Sequence, residues 1–170
     1  VVTATPRGGE LEALVAAVPD PELPVVTIGD LGILRSVEVS SDGTQVIVTL
    51  TPTYSGCPAM PEVTAEVRRR LSRAGWPHVE IRLVLAPPWS TDRITDAGRR
   101  KLARAGIAPP APVRGPRSAV PITLAVSASP PCPRCGSART DITATFGATA
   151  CLGLHRCHDC AEPFEAVRPL

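Results

Sequence analysis

Two Cys-x-x-Cys pairs, Cys132-Pro-Arg-Cys135 and Cys157-His-Asp-Cys160, constrain this chain more than any other feature. Each pair presents two sulfurs from one tight turn, and two such turns complete a closed tetrahedral site for zinc at Zn–S distances of about 2.3 Å. Twenty-one residues lie between Cys135 and Cys157, one more than the usual spacing of roughly 15–20, and a hairpin absorbs the difference. The 39 residues from Cys132 to Leu170 carry few large apolar side chains, too few to fold unaided, so metal binding supplies the missing stability. A β zinc ribbon with Cys132, Cys135, Cys157 and Cys160 as ligands is therefore expected. Four sulfurs leave no open position for water or substrate, which makes the zinc structural.

Cys151, His155 and His158 stand close by in sequence. A histidine could replace one thiolate, but the paired spacing favours four sulfurs. Cys151 is then either a packing residue or a separate reactive or metal-binding thiol. Iron–sulfur spacings of the Cys-x4-Cys-x2-Cys or Cys-x2-Cys-x2-Cys kind do not occur. Clustered cysteines of this sort point to metal in a reducing compartment rather than to disulfides. No apolar run approaches the ~18 residues of a membrane span, and the first residues do not resemble a secretory signal, so a cytoplasmic location is expected. With 18 basic against 16 acidic residues and five aromatics in all, there is no electrostatic or stacking case for nucleic acid.

Ahead of the ribbon the pattern changes to alternating strands and amphipathic helices. Leu11, Leu14, Val15 and Val18 share one helical face, Glu10 and Glu12 suit its first turn, and Pro19 ends it. Asp20-Pro21-Glu22-Leu23-Pro24 must be a shaped loop, because two prolines forbid a helix. Asp20 and Glu22 are read either as a surface site or as turn chemistry, with Asp20 capping the segment after it. Ile33 to Val39 and Val46 to Leu50 alternate around the turn Ser40-Ser41-Asp42-Gly43, giving two antiparallel strands. A helix carrying Met60, Val63, Val67 and Leu71 comes next, with Pro61 at its start and Gly75 at its stop. Val79, Ile81, Leu83 and Leu85 make a third strand, parallel to the second because a helix connects them. Thr95 caps a helix to about Ala105. Trp89, in the loop Pro87-Pro88-Trp89, reads as a lid on the small core.

The strand-to-helix turn Thr51 to Met60 holds Cys57. Near a helix N-terminus a thiolate is favoured, which fits a nucleophile or metal ligand; a small buried cysteine packed in a turn fits equally. Arg68 to Arg70, with Arg73, form a solvated face on which Glu66 can pair with Arg69 and Arg70. The one histidine before the ribbon, His78, lies beyond Gly75, so no base stands beside Cys57 and a thiol enzyme is not expected. Together these elements predict an α+β chain: a small α/β sandwich with a mixed three-stranded sheet over residues 1–107, a Pro-rich linker over 108–131, and the ribbon over 132–170. Within the linker, Val120 to Val126 is apolar enough to lie against a neighbour.

Asp20-Pro21-Glu22, Asp30-Leu31-Gly32, Thr53-Tyr54-Ser55-Gly56-Cys57-Pro58 and Pro87-Pro88-Trp89 resemble the SufT-like iron–sulfur assembly family. Adding Cys132-Pro-Arg-Cys-Gly-Ser, Phe146-Gly147 and Cys160-Ala-Glu-Pro-Phe164, nearly the whole chain is similar to the PaaD family, accessory components of bacterial phenylacetyl-CoA 1,2-epoxidase systems. The resemblance implies a non-enzymatic maturation role. Its partners would be a di-iron oxygenase and a reductase carrying flavin and a plant-type cluster, and its cargo a transient iron or iron–sulfur cluster. Cys57 would be the transient ligand, Asp20 and Glu22 would add oxygen ligands or position the thiolate, and a homodimer could supply a second Cys57. Leu152, where similar proteins often carry Lys, and Val167-Arg168, in place of Phe-Lys, depart from the pattern on the ribbon and put any partner surface there in doubt.

Overall fold

The computed structural model describes residues 8–110 and 129–168. Two compact units divide between Gly98 and Arg99.

The first unit opens with helix α1 (Gly9–Ala16), which buries Leu11 and Val15 and carries Glu10 and Glu12 in its first turn, where the helix dipole favours negative charge. The prolines after it do not leave the chain unpaired. The Asp20 N–H reaches the Val26 carbonyl at 3.0 Å and the Ile28 N–H reaches Val18 at 2.9 Å, closing residues 20–26 into a short loop. Strands β1 (Leu34–Val39) and β2 (Val46–Leu50) pair antiparallel with Val37 opposite Val48. In β2 burial alternates: Val46, Val48 and Leu50 are fully buried, while Ile47 and Thr49 are half-buried. Such period-two burial fixes the register, since a one-residue slip would turn the whole apolar set to the other face.

Helix α2 (Met60–Arg73) buries Met60, Val63, Val67 and Leu71, one side chain per turn. Opposite that stripe Glu66 pairs with Arg69 and, at 2.7 Å, with Arg70. Gly75 takes φ +92°, and the Trp76 N–H closes back on the Leu71 carbonyl at 2.9 Å. That left-handed turn ends the helix and returns the chain as β3 (Val79–Leu83), parallel to β2 with Val48 opposite Ile81. The sheet order β1-β2-β3 is the mixed three-stranded sheet expected from the sequence. Trp89 is buried and its indole N–H donates to the Leu31 carbonyl at 2.8 Å, so the predicted lid is pinned as well as packed. Thr95 caps α3 (Asp96–Arg104) by accepting the Gly98 N–H at 3.0 Å.

The second unit begins within α3, at Arg99, and consists mainly of the ribbon. Strands β5 (Thr140–Ala144), β6 (Leu152–Cys157) and β7 (Pro163–Val167) form an antiparallel meander. A two-residue strand that the sequence did not announce, β4 (Ile107–Ala108), adds parallel to β7 and completes the order β4-β7-β6-β5. Its buried cluster is small, made of Ala108, Cys132, Cys157, Phe164 and Ala166. Val120 to Val126, and Pro112, Pro116 and Pro121 of the linker, lie outside the described residues. No helix among the described residues is long and apolar enough to cross a membrane.

Gly32 sits against neighbouring backbone. Its φ is +65°, and a Cβ there would meet the Arg93 carbonyl oxygen at 2.5 Å. Backbone on backbone has no rotamer to yield. Gly32→Ala is expected to lower unfolding stability by about 2 kcal/mol or more, read as a lower urea midpoint at unchanged slope.

Candidate metal centre

The two Cys-x-x-Cys turns converge. Cys132, Cys135, Cys157 and Cys160 place their sulfurs within 4.8 Å of one another, with Cys132 and Cys160 3.8 Å apart and Cys135 and Cys157 3.5 Å apart. A tetrahedral ion about 2.3 Å from each sulfur holds neighbouring sulfurs about 3.8 Å apart, close to the separation of both of these pairs, so the four sulfurs suit zinc. Both turns are built alike. The first cysteine's N–H donates to a carbonyl five residues on, Cys132 to Ser137 at 2.9 Å and Cys157 to Glu162 at 3.0 Å. The residue after the second cysteine is left-handed in each, Gly136 at φ +76° and Ala161 at φ +60°.

Those turns aim backbone N–H groups at the sulfurs. The N–H of Cys160, helped by that of Asp159 and by the Cys135 thiol and opposed by burial, brings the Cys157 thiol down to about 6. At Cys135 the Ser137 N–H favours the thiolate, yet hydrogen bonding to the thiolate of Cys157, together with burial, pushes that thiol up to about 12. Cys160 is likewise raised: the Glu162 N–H favours its anion, but burial and the sulfurs of Cys157 and Cys132 prevail. Without a cation the sulfurs cannot all ionise together. A divalent metal removes that conflict, which is the chemistry of a thiolate cage.

The first-unit candidates are arranged differently. Cys57 lies just before α2, with its N–H on the Tyr54 carbonyl at 3.2 Å and its own carbonyl accepting from Met60 at 3.3 Å. Only 8% of the residue is exposed, so the thiol is covered in the free protein, although Ser55, Gly56 and Pro58 around it are exposed. Asp20 is buried too, and one of its oxygens, Oδ1, accepts the N–H groups of Glu22 at 2.9 Å and Leu23 at 2.8 Å. That is the turn chemistry weighed for it from the sequence. Burial raises the Asp20 pKa against the pull of those two N–H groups, and the charge of Glu62 raises it further. Glu22 is half-buried. Among the described residues the ribbon quartet is the only convergent group of three or more metal-ligating side chains; Cys57, Asp20 and Glu22 do not form one.

Cys151 is half-buried and outside the quartet. His155 is buried, stacked on Phe164 with ring centroids 5.5 Å apart, and burial lowers its pKa. It is a packing residue of the ribbon rather than a fifth ligand. Sequence reasoning missed the side chains flanking the sulfurs, Arg134, Ser137, Asp159 and Glu162, because charged and hydroxyl groups in turns read as solvated. It also missed Thr51 and Thr53, whose buried hydroxyls have no hydrogen-bond partner among the described residues.

Comparison with known proteins matches two separate segments of the chain. Residues 10–83 match a family model described as iron-sulfur cluster assembly protein, and residues 117–168 match one described as PaaD zinc beta ribbon domain. Over 162 residues the chain is 40% identical to an Escherichia coli (strain K12) protein named as one subunit of a "Putative 1,2-phenylacetyl-CoA epoxidase", covering 95% of this chain and 93% of that one. It is 39% identical over 90 residues to the "Fe-S protein maturation auxiliary factor YitW" of Bacillus subtilis (strain 168), covering 51% of this chain and 80% of the relative. The crystal structure of a domain of unknown function, DUF59, from Bacillus anthracis is similar at 32% identity and a TM-score of 0.50, over 55% of this chain and 88% of that one.

Two outcomes are expected from these geometries. Stripping the metal with a chelator should unfold the ribbon while α1, α2 and the β1–β3 sheet persist, since their core is hydrocarbon; hydrogen exchange resolved by segment measures this, and retained protection of β5–β7 would contradict it. Asp20 has a folded pKa above its unfolded one, so its contribution to stability is fully present below the unfolded value and is lost as pH rises through the folded value. Asp20→Asn keeps the oxygen that caps Glu22 and Leu23 and should therefore be no less stable than the parent at pH 7, with a flatter dependence between pH 4 and 7 in denaturant titrations.

Proposed function

Because the chain belongs to the PaaD family of phenylacetyl-CoA epoxidase components, we propose that it serves such an epoxidase as an accessory, non-catalytic maturation component. In this reading it assists iron or iron–sulfur cluster assembly through Cys57, in the cytoplasm, on the oxygenase and reductase subunits as clients. Residues 1–107 act as the assembly domain, and residues 132–170 as a ribbon whose zinc, held by Cys132, Cys135, Cys157 and Cys160, supplies folding energy and no chemistry.

The observation that carries this is the place of Cys57: a single buried thiol just ahead of α2, inside the segment that matches the iron–sulfur assembly model. A cluster or iron ion is the cargo. One sulfur, completed by a partner's ligand or by a second copy's Cys57, grips iron loosely enough to hand it on, whereas four sulfurs retain it; Asp20 and Glu22 could join it only by a rearrangement of their loop. Buried unpaired hydroxyls are uncommon in folded proteins, and two of them, Thr51 and Thr53, occur where the chain enters this loop. Handling cargo requires residues 55–58 to open, a local motion that leaves the core intact.

The covered state of Cys57 also favours a second reading, in which the chain is a structural subunit that docks on the oxygenase or reductase through the ribbon. Cys57→Ser separates the two. If Cys57 handles cargo, iron or cluster loading of the epoxidase in cells should fall at least about tenfold, the scale on which loss of even an outer-shell group lowers metal affinity, with ribbon zinc unchanged. Full loading with stable co-purification would leave the docking reading in its place.

A further inference from the structure

Around the sulfurs each turn holds the other by the same device. The third residue of the first turn, Arg134, reaches Glu162, two residues beyond the second turn, with Nε 3.1 Å from Oε1. In the second turn the corresponding residue, Asp159, accepts the hydroxyl of Ser137, two residues beyond the first turn. Ser137 and Glu162 are also the residues whose carbonyls take the N–H of Cys132 and Cys157. Two further bonds thicken the second arm: Arg139 donates to the other Asp159 oxygen at 2.7 Å, and the His158 N–H donates to the Arg139 carbonyl at 2.9 Å.

We propose that Arg134–Glu162 and Asp159–Ser137–Arg139 form a reciprocal cross-brace that sets the spacing of the four sulfurs and slows the departure of the metal. The inference rests on the zinc reading of the quartet. Ligands from one turn can leave the ion only if the turns part, and parting them breaks both arms at once. Each arm is solvent-exposed, and an isolated exposed pair contributes little to stability. The effect therefore belongs to ligand geometry and exchange rate rather than to folding, and the residues of the two arms are positioning residues in the sense of outer-shell partners of a metal site.

Charge gives the test its sign. Zinc with four thiolates is a dianion, so neutralising Asp159 or Glu162 by Coulomb's law alone would tighten the site. Loss of a brace would loosen it. Zinc-loaded full-length protein is mixed with a chromophoric chelator and the rate of zinc transfer is followed. Asp159→Ala and Glu162→Ala are each expected to release zinc about tenfold faster, and the charge exchange Arg134→Glu with Glu162→Arg to return close to the parent rate. Glu80→Gln, which removes the exposed Glu80–Arg82 pair of the first unit, should leave the rate unchanged. Release at the parent rate or slower in both single variants, or a charge-exchanged protein as fast as the singles, overturns the brace. Where Asp159→Ala fails to load zinc, Ser137→Ala, which removes one bond of that arm, carries the same expectation. A parent protein that takes up no zinc overturns the underlying reading instead, and is told apart by metal content before any rate is measured.

Discussion

Four sulfurs held within 4.8 Å cannot all carry charge unless a cation shares the space, and the ribbon is organised by that conflict. Its buried cluster contains Phe164, two alanines and two of the cysteines themselves. Leu152 and Val167 are also buried in the ribbon; hydrocarbon burial stabilises by about 25 cal/mol per Å², and so few large side chains leave little to set against the entropy of ordering the chain. The metal cage substitutes for the missing core. Turn geometry is a consequence: the backbone must double back twice to point N–H groups at sulfur, and so it accepts a left-handed alanine at Ala161 where the first turn has Gly136.

The first unit solves the ordinary problem in the ordinary way. Val46, Val48 and Leu50 are buried on one face of β2, and Val63, Val67 and Leu71, buried on α2, recur with the period of the helix. A parallel return from β2 to β3 requires a crossover, and α2 is that crossover. The loop at its head must therefore leave the end of β2 and start a helix within a few residues, which places Cys57 at the helix N-terminal end. Packing thus fixes the position of the thiol, which is buried although its neighbours Ser55, Gly56 and Pro58 are exposed. Thiol position and thiol accessibility are set by different forces, one cooperative with the core and one local.

Much of this was legible in the chain because the signals were local. Period-two burial in β2, the stripe of α2, Gly75 as a stop, Thr95 as a cap and the spacing of the cysteine pairs each lie within a few residues. The features that escaped were non-local or depended on context. β4 is two residues long and exists only because β7 offers it an edge. Whether Asp20 faces solvent or its own backbone is invisible in the sequence, since both outcomes use the same residue types; its oxygen turned to the N–H groups of Glu22 and Leu23. Cys57 is the same case, as a helix N-terminus favours a thiolate while saying nothing about how deeply the loop sits. The contacts of Arg134 and Asp159 join residues 28 and 22 positions apart, beyond any pattern a window of sequence can show.

Placing a permanent cage and a lone thiol on one chain imposes a requirement on both. On the proposed reading, a thiol meant for iron must not be captured by zinc, and a cage meant for zinc must not surrender sulfur to passing iron. Ligand number answers the first, since one sulfur offers zinc too little to compete with free four-sulfur sites. Closure answers the second: with all four positions filled there is no vacant site for an incoming ligand, and exchange waits for the two turns to separate. Covering Cys57 adds a third protection, because oxidation of a thiol follows its exposure and its thiolate character. If a client opens the loop, as the proposed function requires, the thiol spends its reactive interval with the client present. On this view the burial of Cys57 is consistent with intermittent work, and the decisive property is the free energy needed to lift residues 55–58 rather than the accessibility of the sulfur in the resting fold.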